Sequence, residues 1–255
     1  MAAAAPPPPR SRASDFVWGR KLGQGSFGAA FEVVRTINDR TYVIKQCFIG
    51  RMSQAEQDDA IHEVHLLASL SHEYIVKYHD SFIAPGALNI VMEHCPGGDL
   101  AALIQGCTRC GNRLAEATIW RYTLQLCSAL SFIHLKKILH RDLKAANVFL
   151  GRNGDIRLGD FGVSKVLEKT SDLAKTRVGT PYFMSPELCR SQAYSAKSDI
   201  WALGCLVYEL CALRPPFQAG NLASLVLAII KCVAPPPTIG PSPLPAAVGG
   251  CGRSI

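Results

Sequence analysis

The 255-residue chain is 48% hydrophobic and 18% charged and carries a formal net charge of +7. A domain of that length buries roughly 75% of its unfolded surface, so a sizeable core is available and a wholly disordered chain is excluded. The positive surplus is mild and held in no long Lys/Arg run, which argues against nucleic-acid binding, and no apolar stretch reaches the ~18–20 residues of a membrane span.

Residues 1–14, an Ala run followed by Pro6 to Pro9, are low in complexity and are expected to be disordered, in part as polyproline II. From Phe16 the texture changes. Segments 16–23, 29–36, 41–49, 76–83 and 87–93 are short, rich in β-branched and aromatic residues, and separated by Gly-rich or polar turns, so five strands are expected. One helix is inserted among them. It starts near Ser53, where Ser53 and Glu56 have capping-box spacing, and its apolar stripe runs through Ala60, Val64 and Leu67. Glu63 lies within that stripe, and an inward carboxylate needs a cationic partner or a function.

After about Pro96 the chain reads as mainly helical. Residues 115–135 have helical period. Residues 148–150 and 156–158 read as a short hairpin around Asn153-Gly154. Ser198 to Leu213 is apolar on nearly every side, the pattern of a central buried helix. From Cys232 the chain is Pro/Gly-rich and no packed structure is expected. Ten cysteines without a secretory leader read as reduced thiols, and a cytoplasmic location is expected. Cys107-Thr108-Arg109-Cys110 is a lone C-x-x-C, which reads as a pair of loop thiols because a zinc site needs a second ligand pair.

The chemistry-bearing motifs follow in order. Gly23, Gln24, Gly25, Ser26, Phe27 and Gly28 spell G-x-G-x-x-G. A dinucleotide fold uses the same spelling between a strand and a helix. Here the glycines lie between two expected strands, which leaves a phosphate-covering flap or a plain hairpin turn. Lys45 sits inside a strand, where it is either exposed or paired with Glu63. His140 to Asn147 reads H-R-D-L-K-A-A-N, and Asp160-Phe161-Gly162 follows about 18 residues after Asp142. In such a loop Asp142 orients an attacking hydroxyl and accepts its proton, Lys144 steadies the migrating phosphoryl, and Asn147 and Asp160 hold Mg²⁺ through hard oxygens.

Taken together, the glycine run, Lys45, Glu63, the Asp142/Asn147 loop, Asp160-Phe161-Gly162 and Ser185-Pro186-Glu187 resemble the protein kinase family. Gly97-Gly98-Asp99-Leu100, Asn147-Val148-Phe149-Leu150 and Gly179 to Glu187 look closest to the NIMA-related serine/threonine kinases. The resemblance implies an α+β, bilobal fold over residues 15–231: a small five-stranded lobe with one helix (about 15–95) and a larger helical lobe (about 96–231), followed by an irregular tail, 232–255. It implies ATP and Mg²⁺ as cofactors and transfer of the γ-phosphoryl to protein Ser/Thr hydroxyls. Met92 resembles a gatekeeper, and Glu93 and Cys95 the segment that meets adenine. Asp199 resembles a buried acid tying the catalytic loop to the central helix. Residues 163–184 resemble an activation loop. Phosphate on Thr176, placed by an upstream kinase or by a second copy in trans, would meet Arg141, while Thr180 would be structural. Kinship alone would suggest cytoskeletal or ciliary work.

One departure stands out. After Ile230 the family continues with further helices, one carrying an arginine that pairs with the glutamate matching Glu187. A buried carboxylate left unpaired costs about 3–5 kcal/mol. Two expectations therefore stand: an active kinase, or a truncated, weakly active or inactive nucleotide-binding or scaffolding module.

Overall fold

The computed structural model describes residues 11–25, 28–50, 53, 57, 64, 68, 70–84, 86–159, 182–232 and 234–236. The chain divides into two compact units, residues 1–97 with 151–178, and residues 98–150 with 179–255.

The first unit is built on five antiparallel strands, β1 (Phe16–Gly25), β2 (Gly28–Arg35), β3 (Arg40–Phe48), β4 (Tyr78–Ala84) and β5 (Ala87–Glu93), in the order β1-β2-β3-β5-β4. Side chains alternate across the sheet, so each face has its own core. Phe16, Val33, Tyr42, Ile44, Phe82 and Val91 fill one face, with the Phe16 and Phe82 rings stacked at 6.0 Å. Cys47, Ile49, Leu88 and Ile90 line the other and pack with Val64 from the segment that follows β3. Val64 falls on the expected inserted helix and is helical; Ala60, Glu63 and Leu67 lie outside the described residues. A further short strand, β6 (Val148–Leu150), belongs to the second unit, and β7 (Ile156–Leu158) to the first. The chain begins to pack earlier than the expected start at residue 15. Ser11 is 2% exposed, and both its amide and its hydroxyl donate to Asp80 Oδ2, at 2.8 and 2.5 Å.

The second unit is helical. Helix α1 (Leu100–Cys110) is capped by Asp99, whose Oδ1 accepts from the Ala102 amide at 2.8 Å, and ends at Gly111 with φ 64°. Cys107 and Cys110 are therefore helical rather than loop thiols: a cap at each end of residues 100–110 outweighs the loop-like look of the C-x-x-C. Among the described residues no cluster of His, Cys, Asp and Glu could hold a metal. Helix α2 (Glu116–Leu135) buries Tyr122, Leu126, Ala129, Leu130 and Ile133, one helical stripe. The short α3 (Pro186–Cys189) precedes α4 (Ala196–Ala212), and α5 (Leu222–Lys231) follows.

Helix α4 departs from the expected all-round burial. Asp199, Ala202, Leu203, Leu206 and Leu210 are sealed, but Ile200 is 53% exposed and Gly204 is exposed. Apolar composition sets how much can be buried; the number of packed neighbours sets which faces are. Trp201 stacks on Phe217 at 5.7 Å, and Leu225 and Ile229 of α5 close over Phe217 and Cys205. Among the described residues no helix is long and apolar enough to cross a membrane.

Candidate active site

In the first unit, β1 and β2 form a hairpin that closes at Gly25 opposite Gly28, with Gly23 opposite Ala30 and Gln24 opposite Ala29. The G-x-G-x-x-G run therefore joins strand to strand, which excludes the dinucleotide-fold alternative. Gly23 has open space where a side chain would stand. A Cβ on Gly28 would lie 1.8 Å from the Gln46 carbonyl oxygen, so β3 itself demands that glycine. Ser26 and Phe27, at the tip, lie outside the described residues.

Lys45 stands in the middle strand, half-buried, between Ala30 on β2 and Ile90 on β5. It shares a sheet face with Ile90, which packs against Val64. Its expected partner Glu63 lies outside the described residues, as do Asp160, Thr176 and Thr180.

Glu93 ends β5. Its carboxylate accepts from Arg157 Nε at 3.4 Å and from the Lys77 amide at 3.2 Å, and its own amide donates to the Lys77 carbonyl at 2.9 Å. These contacts fix the chain direction just before Cys95. Next to it, His94 Nε2 lies 3.3 Å from Glu32 Oε2, which also meets Arg20. Cys95 is half-buried; burial first, then the charge of Glu93, pushes its thiol up to about 12. It stays protonated and inert at neutral pH.

In the second unit, three of the expected residues come together in one loop. Lys144 Nζ donates to Asp142 Oδ2 at 2.7 Å. Asn147 Nδ2 donates to the Asp142 carbonyl at 2.8 Å and to Asp142 Oδ2 at 2.9 Å. Asn147 is buried, whereas the Asp142 and Lys144 side chains are about half exposed, at 47% and 44%. The loop thus presents a carboxylate and an ammonium to solvent on a buried amide.

The shape of this loop is set from below by Asp199, which is fully buried on α4. Its Oδ2 accepts from the His140 amide at 3.0 Å and contacts His134 Nε2 at 2.7 Å; its Oδ1 accepts from the Arg141 amide at 3.0 Å and the Tyr194 hydroxyl at 2.5 Å. Arg141 has φ 71°, a conformation rare outside glycine; its own amide is fastened to Asp199, and the Asp142 amide that follows donates to His140 Nδ1 at 3.3 Å. Its side chain is exposed. The tie between this loop and α4 expected of Asp199 is thus seen directly. Tyr194 and His134 were not foreseen, because a lone tyrosine before a helix and a histidine at a helix end carry no pattern.

Glu187 is half-buried rather than sealed, and the Ser198 hydroxyl donates to its Oε1 at 2.6 Å. Burial pushes that carboxyl up, but the Ser198 hydroxyl and a backbone amide outweigh it and hold it low. The cost attached to a buried, unpaired Glu187 does not arise in this geometry.

A glycine hairpin over a lysine-bearing strand and an Asp-x-Lys-x-x-Asn loop are the parts of a protein kinase, and residues 16–239 match the protein kinase domain: the chain belongs to that family. Its relatives are NIMA-related serine/threonine kinases, as the motifs implied. It is 48% identical over 217 residues to the serine/threonine-protein kinase Nek1 of Mus musculus, which covers 85% of this chain and 18% of Nek1. It is 45% identical over 213 residues to the probable serine/threonine-protein kinase nek2 of Dictyostelium discoideum, 82% of this chain and 51% of that protein. To the Homo sapiens Nek2 it is 44% identical over 216 residues, 82% of this chain and 48% of Nek2. The chain therefore spans from under a fifth to about half the length of these relatives.

Proposed function

We propose that this chain is a serine/threonine protein kinase that transfers the γ-phosphoryl of ATP to a Ser or Thr hydroxyl of a protein. The observation that carries the reading is the Asp142–Lys144–Asn147 cluster, held in shape by Asp199.

The donor set fits ATP with Mg²⁺. Both contacts made by Asn147 Nδ2 go to Asp142, which leaves the amide oxygen as the hard acceptor a magnesium ion takes. Asp160 is assigned as the second magnesium ligand. When bound, Mg-ATP supplies the phosphoryl group and the charge neutralisation that loosens it. Asp142 aligns the acceptor hydroxyl and takes its proton as the new P–O bond forms and the bond to ADP breaks. Lys144, beside the same carboxylate, carries positive charge toward the migrating group. Lys45, oriented by Glu63, holds the phosphates beneath Gly23, Gln24, Gly25, Ser26, Phe27 and Gly28, and the backbone at Glu93 and Cys95 receives the adenine.

Phosphate on Thr176 is assigned as the switch, with the exposed Arg141 as its partner and an upstream kinase or a second copy as its source. Thr180 is assigned to position Asp142 and Lys144. The described cysteines are all free thiols, which suits the cytoplasm.

Asp142→Asn is expected to lower phosphate incorporation into a protein substrate by roughly 10²–10⁴-fold with nucleotide binding kept. Equal rates for both proteins would remove Asp142 from the mechanism. Nucleotide binding without transfer in the unsubstituted chain would favour a binding module.

A further inference from the structure

The fold brings together a second group of reactive atoms, far in sequence from the loop of Asp142. Cys205 is 4% exposed on α4 and packs against Leu225 and Ile229 of α5. Cys232 lies three residues beyond Ile229 and caps α5 with φ 53°, its amide donating to the Ile229 carbonyl at 3.0 Å. That left-handed residue turns the chain back. Three residues later, Pro235 is fastened to α4, where the Tyr208 hydroxyl donates to its carbonyl at 2.9 Å. Cys205 and Tyr208 are three apart on one helix and share a face. The segment from Ile229 to Pro235 is thus tied at both ends to the stretch of α4 that carries Cys205, with Cys232 midway. Cys232 is exposed and open to reagents; Cys205 is not.

We propose that Cys205 and Cys232 are an oxidisable thiol pair that closes into a disulfide clip between α4 and the chain leaving α5. The oxidant class is a small disulfide such as glutathione disulfide. The Cys232 thiolate attacks it, releasing one glutathione thiol and leaving a mixed disulfide on Cys232. Cys205 then gives up its proton and attacks the Cys232 sulfur, releasing the second glutathione. Two protein thiols are oxidised and one glutathione disulfide is reduced to two thiols. Burial first, and then the neighbouring thiol of Cys232, pushes Cys205 up to about 12, so the second step is the slow one and quickens as pH rises. In a reducing cytoplasm such a clip is an occasional, reversible state rather than a standing brace.

The test exposes the full chain to glutathione disulfide at pH 7 and pH 9 and maps its linkages by non-reducing peptide mass spectrometry. It is run on the unsubstituted chain, with fragmentation to place each bond, and in a C211S/C251S background, because tryptic peptides carrying Cys205 and Cys232 also hold Cys211 and Cys251. A Cys205–Cys232 peptide that forms faster at the higher pH, a raised thermal midpoint, and reversal of both by dithiothreitol are expected. C232S, at an exposed position, leaves the core intact and is expected to abolish the link. Glutathione accumulating on Cys232 while Cys205 stays alkylatable after unfolding would overturn the pair, as would a link that persists in C232S.

Discussion

Burial alone would drive Asp199 toward its neutral acid. Hydrogen bonds from Tyr194, His134 and the amides of Arg141 and His140 reverse that and hold its carboxyl below the usual range. A group whose folded pKa is depressed contributes stability that is complete above its unfolded value, about 3.9, and is lost as pH falls through the folded value. The window therefore lies below about pH 4. Asp199→Asn leaves fewer acceptors for these donors and is expected to cost about 1–3 kcal/mol for each buried donor orphaned. Urea unfolding at pH 7 measures the loss, and the acid limb of the variant, followed by circular dichroism, is expected to be shallower than that of the parent. At this scale the sequence was legible where residues keep a fixed spacing: Asp142, Lys144 and Asn147 are neighbours in one loop and meet as their order implies. His134 was not legible because it meets Asp199 across 65 residues, and Tyr194 was not because a tyrosine five residues before an aspartate follows no patterned spacing.

At the scale of elements, the two ends of the glycine run are held for different reasons, and this separates packing from binding. Gly28→Ala drives a Cβ into the Gln46 carbonyl and is expected to lower the thermal midpoint of the chain without any ligand. Gly23→Ala meets open space and is expected to leave that midpoint unchanged, so any loss of nucleotide affinity in it reports on the ligand alone. Helix α4 holds a second contrast. Glu209 is raised by burial, and its Oε2 has no partner among the described residues. A raised acid stabilises the fold fully below its unfolded value, about 4.3, and that contribution fades as pH rises through the folded value. Glu209→Gln is therefore expected to stabilise at pH 7 and to lose the advantage as pH is lowered toward 4. Paired denaturation curves at the two pH values check it. The strands and α2 were readable because period 2 and period 3.6 repeat over several residues. The helical setting of Cys107 and Cys110 was masked by two cysteines that look like a motif, and the exposed side of α4 by a sequence that is apolar all round.

For the whole molecule, the ligand offers the broadest check. A ligand that binds only the folded chain adds about 2.7 kcal/mol at a hundredfold excess over its Kd. Mg-ATP is expected to raise the thermal midpoint accordingly, and Lys45→Met or Asn147→Ala to reduce the rise. The same shift in all three proteins would place the nucleotide elsewhere. The general class of the fold was legible because the ordered motifs are spread across both units. What composition could not reveal was how the ends of the described chain are fastened, at Ser11 on Asp80 and at Pro235 on Tyr208, since these contacts join residues 69 and 27 positions apart.

The carboxylate of Asp199 also imposes an order in time. During synthesis His140 and Arg141 leave the ribosome before the residue that will fix them, since Asp199 follows Arg141 by 58 positions. Until α4 has been made and laid against α2, the His140 and Arg141 amides lack the carboxylate that fastens this turn. The glycine hairpin can thus assemble early, while the turn that bears Asp142 gains its buried anchor only once a later helix has been translated.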